Sequence, residues 1–317
     1  MLGLGNSISR SSVSEAGSSA LRLASPLLLD TYSGAVAAYS LRKLSSDYSG
    51  KAIQIRRASD NVEVDVSFDS SGAVSLDSAV TNVTEETTGS STSLVTSATN
   101  LGQFVANASY TDADSLGSAD SALVQCWYDQ SGSGNHATQN TAGSQPQIVS
   151  SGAIVVENEK PAVNFNGSSS KMSSSNVQNN NDTAVAFVGT RSNVSARNNA
   201  VSHHNGNDHA IYSYGADDYK LWDGGQYAGG SGAVGTNQHT FFHNSDGTTV
   251  LFYLNDSLLY NVTRTLKQGT TAMEIGSWNG GNLFSGTMQE IVVWGENKLS
   301  NRADINTNIN TFYNIYS

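Results

Sequence analysis

Cysteine is almost absent from this chain of 317 residues, with Cys126 the one example. No intrachain disulfide can form, so stability has to come from a packed core. Cys126 lies in the apolar run Leu123-Val124-Gln125-Cys126-Trp127 and reads as a small buried hydrophobe, not a nucleophile. Charge is also scarce. Charged residues make up 14% of the chain, against roughly 25% in an average soluble domain. The 16 basic residues form no cluster and are outnumbered by 27 acidic ones, which leaves a net charge of −11. Phosphate-tracking contact with nucleic acid is therefore not expected. The acidic balance is read as solubility and self-repulsion. No stretch approaches the run of about 18 apolar residues that a membrane helix needs. Residues 1–25 lack a basic start and an unbroken apolar run, so no signal peptide is expected.

Ser, Thr, Asn and Gly fill the space that charge leaves. They favour turns and compete with helix through side-chain hydrogen bonds to the backbone. Period-two alternation marks half-buried strands at 52–57 and at Val62-Glu63-Val64-Asp65-Val66. A strand is read at Leu123 to Tyr128, and short strands recur from Ala153 to Trp294, separated by Gly, Asn and Asp. That pattern predicts a β-sandwich or barrel. Asn255-Asp256-Ser257 reads as a tight hairpin turn. Pro146 and Pro161 bracket a hairpin or crossover at 147–160. Residues 81–99 read as loop or edge strands, and Asp112 to Ala122 has weak helical character. The chain end changes period. Ser300 is placed as an N-cap, and Ile305, Ile309, Phe312 and Tyr316 recur at helical spacing, so a short C-terminal helix is expected to pack on the sandwich. Residues 1–30 read as an arm with little capacity to fold alone, and 31–317 as one β-sandwich domain.

Four segments carry a resemblance. Ala162 to Ser169 resembles the strand and turn of laminin-G-like, concanavalin A-like jelly rolls; Val250 to Leu258 resembles their hairpin. Glu274-Ile275-Gly276-Ser277 and Phe284 to Trp294 resemble two further strands, in the same order. The fold class is accordingly all-β, a concanavalin A-like jelly-roll sandwich. Ala37 to Arg42, Tyr48-Ser49-Gly50, Ile55 to Asp60 and Trp127 to His136 follow the layout of α-L-arabinofuranosidase B catalytic domains. The most specific of these motifs is Tyr128-Asp129-Gln130-Ser131-Gly132-Ser133-Gly134-Asn135-His136.

The second resemblance raises the question of catalysis. Glycoside hydrolysis generally needs two carboxyl groups flanking the scissile bond. The resemblance implies a nucleophile in the segment Lys220-Leu221-Trp222-Asp223-Gly224-Gly225, where its position reads Gly225. It implies an acid/base in Glu274-Ile275-Gly276-Ser277-Trp278, where that position reads Trp278. Glycine has no side chain and tryptophan only an indole donor, so neither can serve. Asp223 lies two residues from the first position and is the nearest substitute, with Asp208, Asp217 and Asp218 close in sequence. The same resemblance makes Trp222, Asp223, Tyr227, Trp278 and Asn279 candidate glycan contacts, because aromatic faces stack on sugar rings. The competing role for Trp222 and Trp278 is core packing.

No cofactor is expected. His203, His204, Asp208 and His209 are the densest candidate metal ligands but lack zinc-type spacing. His239 and His243 share a strand face too far apart to share a metal. Asp129 with Asn135 offers oxygen ligands for Ca²⁺, but a turn-stabilising hydrogen-bond network is the reading these residues favour. The opening MLGLGNSIS, the Ser-rich arm and the sandwich resemble virion proteins of marine bacteriophages. The expected function is thus a non-enzymatic virion structural protein, a capsid decoration or tail fibre. It would be anchored to other virion subunits through residues 1–30, would bind a surface glycan or neighbouring subunits through the sandwich, and would form a homo-oligomer. The alternative is an active arabinofuranosidase-like hydrolase acting on surface polysaccharide, and a second alternative is a purely architectural cement.

Overall fold

The structure is a computed structural model. It describes residues 26–84, 98–106, 120–175, 177, 181–193, 197–203, 209–213, 219–223, 226–229, 235–266 and 271–317. Residues 1–25 of the arm at 1–30 and residues 112–119 of the stretch 112–122 lie outside the described residues, while Leu28 and Leu29 are buried and Ala122 opens a strand.

Antiparallel strands dominate, as the alternation predicted. One hydrogen-bonded layer runs from Val80–Thr84 through Glu63–Val66, Ile53–Arg57 and Ala122–Trp127, then across Gln147–Ser150 and Val163–Asn166. It continues through Ser285–Trp294, Asp182–Arg191, His239–Asp246 and Thr249–Leu254 to Ser257–Thr263. Ala35–Ser40 joins the same layer against Ser285–Trp294. The other layer leaves from Ala122–Trp127 through Ala137–Thr138, Met172–Ser173, Met273–Ile275 and Asn198–His203. His209–Ser213, Tyr219–Asp223 and Gln226–Gly229 complete it.

Alternation explains what lies between the layers. Ile53, Ile55, Val64 and Val66 point inward to meet Phe187, Ile291, Met273 and Ile275 in one apolar cluster. A second cluster lies on the far side of the first layer. There Ala184, Ala186, Val188, Phe242, Val292 and Trp294 pack under two helices, Leu28–Thr31 (α1) and the C-terminal helix. A short helix at Leu101–Val105 (α2) contributes Leu101 and Phe104 to the main core. The C-terminal helix is Arg302–Tyr313 (α3), preceded by a 3₁₀ turn at Leu299–Asn301. Two details differ from the periodicity. Asn301, not Ser300, occupies the N-cap position, and its side chain makes no capping bond. The helix stops at Tyr313 because Asn314 takes a left-handed conformation at φ 53°, so the buried stripe is Ile305, Ile309 and Tyr313, with Tyr316 beyond the helix.

The bracket between Pro146 and Pro161 resolves into two hairpins. Gln147–Ser150 pairs with Ala153–Ile154, and Val156–Glu157 pairs with Lys160–Pro161. The apolar triplet at 154–156 is thus split between two short strands.

The motif residues of the jelly-roll resemblance meet in space. Phe165 packs edge-on against Phe284, at 6.3 Å and 87°. Gly276, at φ 78°, lies under the Phe165 ring, whose nearest atom would be 2.5 Å from an added Cβ. Gly286 is tighter. Its φ is 144°, and a Cβ there would fall 1.9 Å from the Thr190 carbonyl oxygen. The atoms that crowd Gly286, from Thr190 and Arg191, are backbone and cannot swing away. Gly286→Ala should destabilise the fold by about 3 kcal/mol or more. Chemical denaturation checks this, and a loss under about 1 kcal/mol would show that the two strands part easily.

Candidate functional site

Register collects a row of residues across the second layer. Ser173 pairs with Glu274, Glu274 with Ser202, Ser202 with Ala210, Ala210 with Trp222, and Trp222 with Tyr227. Directly paired residues of an antiparallel sheet share a face. The neighbouring residues Met273 and Ile275 are fully buried in the main core, so the row of Glu274 belongs to the outer face of this layer.

Glu274 is half-buried and held. Its Oε2 accepts from the Ser277 hydroxyl at 2.6 Å and from the Gly280 N–H at 3.0 Å. Ser277 is itself buried, and its carbonyl accepts from the Ser202 hydroxyl at 2.6 Å, which ties the loop to the next strand. The loop closes through a tight turn. Trp278 and Gly281 exchange backbone hydrogen bonds of 2.8 and 3.0 Å. Asn279 and Gly280 between them have φ of 51° and 68°, the primed-turn geometry that Asn-Gly favours. Lys171 Nζ donates to the Gly280 carbonyl at 3.1 Å, and the Arg197 guanidinium carbon lies 5.9 Å from the Trp278 ring centre.

The five residues singled out from the sequence separate into two groups. Trp278 and Asn279 form the turn beside Glu274, Trp278 half-buried and Asn279 exposed. Trp222 and Tyr227 are paired with each other in the row of Glu274. At roughly 4.8 Å per strand, Trp222 is about 14 Å from Glu274 along the backbone. Asp223 falls one residue out of that row. It pairs with His209 and Gln226, in the row of His203 and Met273. Gly225, Asp208, Asp217 and Asp218 lie outside the described residues. Sequence reasoning passed over Glu274 because it sits inside a strand motif that already served as a fold marker. A signal was available: it is the acidic residue in the segment that carries Trp278.

The motif Tyr128 to His136 has a structural job. Asp129, nearly fully buried, accepts from the Ala38 N–H and Ser131 N–H at 2.8 Å each. Its other oxygen accepts from the Ser131 hydroxyl at 2.7 Å and the Asn135 N–H at 3.0 Å. Asn135 Nδ2 donates to the Val36 carbonyl at 2.8 Å. Gln130 Nε2 donates to the carbonyls of Ser40 and Arg42, and its Oε1 accepts from the Leu44 N–H. The motif therefore staples the chain from Val36 to Leu44 onto the sandwich. Donors surround the Asp129 carboxylate, which is the arrangement of a hydrogen-bonded turn and not of a Ca²⁺ site. Asp129→Ala should cost about 2–4 kcal/mol by leaving buried donors unpaired. Thermal melting checks it. A melting temperature that falls on chelation of the wild type would restore the calcium reading.

Of the candidate metal ligands His203, His204, Asp208 and His209, His204 and Asp208 lie outside the described residues. Burial pushes His203 down to about 4 and His243 down to about 3, so both are neutral at ordinary pH. Among the described residues no group of three or more His, Cys, Asp or Glu is placed to hold a metal ion. Burial, with a smaller contribution from Asp65, pushes the Cys126 thiol up to about 12, so the thiolate is not formed.

No family profile matches the sequence, and no curated protein matches it. Solved structures do match its fold. An arabinofuranosidase complexed with arabinofuranosyl-α-1,2-xylobiose is 18% identical, with a TM-score of 0.60. A GH54 α-L-arabinofuranosidase soaked with a cyclic sulfate inhibitor is 16% identical, with a TM-score of 0.61. A mutant of such an enzyme, soaked with 4-nitrophenyl α-L-arabinofuranoside, is also 16% identical, with a TM-score of 0.60. Each match covers 89% of this chain and 64% of the other. The chain thus spans less than two thirds of the length of the structures it resembles, and the likeness establishes a shared β-sandwich fold. The expectation of a non-enzymatic structural protein is corrected by these matches. It rested on a lectin-like sandwich stripped of catalytic groups, whereas the scaffold is that of arabinofuranosidases along nearly the whole chain. Gly225 and Trp278 carry no carboxyl group, but Asp223, Asp208, Asp217 and Asp218 stand close by in sequence, so the loss of those two positions does not by itself exclude catalysis.

Proposed function

We propose that this chain is a glycoside hydrolase that releases arabinofuranosyl groups from a polysaccharide, with Glu274 as one of its two carboxyl groups. One observation carries the reading. A half-buried carboxylate is fixed by Ser277 and Gly280, in the cross-strand row of Trp222 and Tyr227, on a scaffold shared with arabinofuranosidases over 89% of the chain. Both contacts donate to Glu274, so it takes the role of an acceptor, the base or nucleophile of the pair. The Trp278 indole N–H can donate a hydrogen bond but is far too weak an acid to serve as a general acid. Its place beside Glu274 suits it to stack on a sugar ring. The partner carboxyl group has to lie within about 5–10 Å of Glu274. Asp223, about 14 Å away and out of the row, meets that requirement poorly. Asp208, Asp217 and Asp218 are the other candidates.

The test is release of nitrophenol from 4-nitrophenyl α-L-arabinofuranoside, and of arabinose from arabinosylated polysaccharides, by the full chain. Changing Asp208, Asp217, Asp218 and Asp223 singly to Asn identifies the partner as the variant whose turnover collapses. No release from any of these substrates overturns the hydrolase reading.

A further inference from the structure

Two segments that carry the arabinofuranosidase resemblance, those of Tyr48 and of Gln130 to Gly132, meet at a cavity that the proposed catalysis does not use. It holds about 240 Å³ and opens between α1, the start of Ala35–Ser40, the turn at 45–48 and the loop at 130–132. None of these belongs to the second layer, so the cavity stands apart from the row of Glu274. Its walls are fixed. Gln130 is buried, accepts from the Leu44 N–H at 2.8 Å and donates to the Ser40 and Arg42 carbonyls at 3.1 and 3.0 Å. The Ser45 hydroxyl and the Ser46 N–H donate to Asp30 Oδ1 at 3.0 and 2.9 Å, and Ser45 Oγ accepts from the Asp47 N–H at 3.2 Å. The Tyr48 hydroxyl donates to the Lys51 carbonyl at 2.7 Å, and its ring meets Phe68 edge-on at 6.4 Å.

The groups left over define the ligand. Asp47 is the one charged residue among the described residues that line the cavity, and its exposed carboxylate has no partner among the described residues. The exposed Ser33 hydroxyl is likewise uncommitted. Leu29, Ala35 and Tyr48 line the cavity beside them.

We propose that this cavity is a second sugar site, which takes one neutral ring of a polysaccharide chain. Its volume falls below the roughly 300–1,000 Å³ of pockets for drug-sized ligands and suits a single ring. The two oxygens of Asp47 accept from neighbouring sugar hydroxyls in charge-assisted hydrogen bonds. Ser33 adds a neutral contact, and the apolar lining meets the C–H face of the ring. An anionic sugar meets Asp47 with like charge and is disfavoured. Because the walls are fastened before the ligand arrives, binding has little of the protein to order. Such a site holds the chain on its polymer, and the binding does not depend on the hydrolase reading.

Titration of the isotope-labelled full chain with neutral xylo- and arabino-oligosaccharides, followed by NMR, tests it. The chain carries Glu274→Gln so that no sugar is consumed. The amide signals of Gly34, Asp47 and Gly132 should shift with a Kd of about 1 mM. Asp47→Ala should weaken this binding at least about tenfold. Ser33→Trp, which fills the cavity from an exposed position, should abolish it, and both variants should keep their cooperative melting. An oligogalacturonate of the same length should shift these signals far less. Absence of shifts at about 20 mM neutral sugar overturns the proposal, as do shifts that survive in both variants. Equal binding of the oligogalacturonate overturns the neutral class. Shifts that vanish on chelation of divalent ions would make Asp47 a cation ligand and overturn direct recognition of the sugar. Turnover by the wild type without these shifts removes this inference and leaves the hydrolase reading standing. Shifts without turnover do the reverse.

Discussion

Glu290→Ala is expected to cost about 3–5 kcal/mol of stability, the largest loss of any single side-chain truncation discussed. Glu290 is fully buried under α3. It accepts from Arg42 Nε at 2.7 Å and Nη2 at 3.0 Å, from the Ser40 hydroxyl at 2.9 Å and from the Tyr313 hydroxyl at 3.2 Å. Arg42 in turn donates to Asn308 Oδ1 at 3.1 Å and lies over the rings of Phe312 and Tyr313. Burial opposes the charge on Arg42, but Glu290 outweighs it and holds the guanidinium above its ordinary pKa. Burial first and Glu290 next push the Tyr313 phenol well up, so it stays a neutral donor. Removing Glu290 therefore strands a buried cation with no counter-charge. The double variant Arg42→Met with Glu290→Met removes the charge along with its partner and should recover most of the loss. Denaturant unfolding of the two variants decides. A Glu290→Ala protein within about 1 kcal/mol of wild type would mean that water reaches Arg42 and that α3 does not seal this site.

Glu274→Gln should lower kcat on 4-nitrophenyl α-L-arabinofuranoside by at least about 10²-fold. An amide keeps the size and one acceptor oxygen, so the contacts to Ser277 and Gly280 can persist and the loop should stay closed. What it loses is the capacity to take a proton or attack carbon. The discriminating readout is kinetic. If Glu274 acts as base or nucleophile, KM should change little while kcat falls, and the acidic limb of the pH–rate profile should disappear from the residual activity. If Glu274 only fastens the turn, the variant should show raised KM, near-normal kcat and an unchanged pH profile, and the proposed role would be lost. A matching melting temperature in both proteins shows that the comparison concerns chemistry and not folding.

Much of this molecule follows from local pattern. Alternation at Ile53, Ile55, Val64 and Val66 determines strands and the face they bury, because successive side chains of a strand point in opposite directions. The helical spacing of Ile305 and Ile309 determines a capped-off C-terminal helix, though its end was misplaced at Tyr316. The stop comes from the left-handed Asn314, a backbone state that periodicity does not encode. The jelly-roll motifs were legible because their glycines answer a steric demand. Gly276 admits the Phe165 ring and Gly286 admits the Thr190 carbonyl, and no larger residue can stand there.

The site was less legible, and the reason is physical. Sequence spacing placed Trp222 with Asp223 and Trp278 with Asn279, but the distance between those pairs is set by two intervening strands, Asn198–His203 and His209–Ser213. Only that register decides that Glu274 joins the row of Trp222 and Tyr227, and that Asp223 falls out of it. The turn residues of the most specific motif, Tyr128 to His136, point to a hydrogen-bonded network, but only tertiary contact shows that it staples the chain from Val36 to Leu44, with its carboxylate saturated by backbone N–H groups from Ala38, Ser131 and Asn135. Likewise, nothing near Arg42 in the chain announces Glu290, which lies 248 residues away. The sequence by itself determined which segments are strands, which faces are apolar and where glycine is obligatory, since these depend on neighbours a few residues apart. The tertiary structure decided which carboxylates are buried, which are fastened by a loop and which strand positions fall in one row, since those depend on strands brought together from distant parts of the chain.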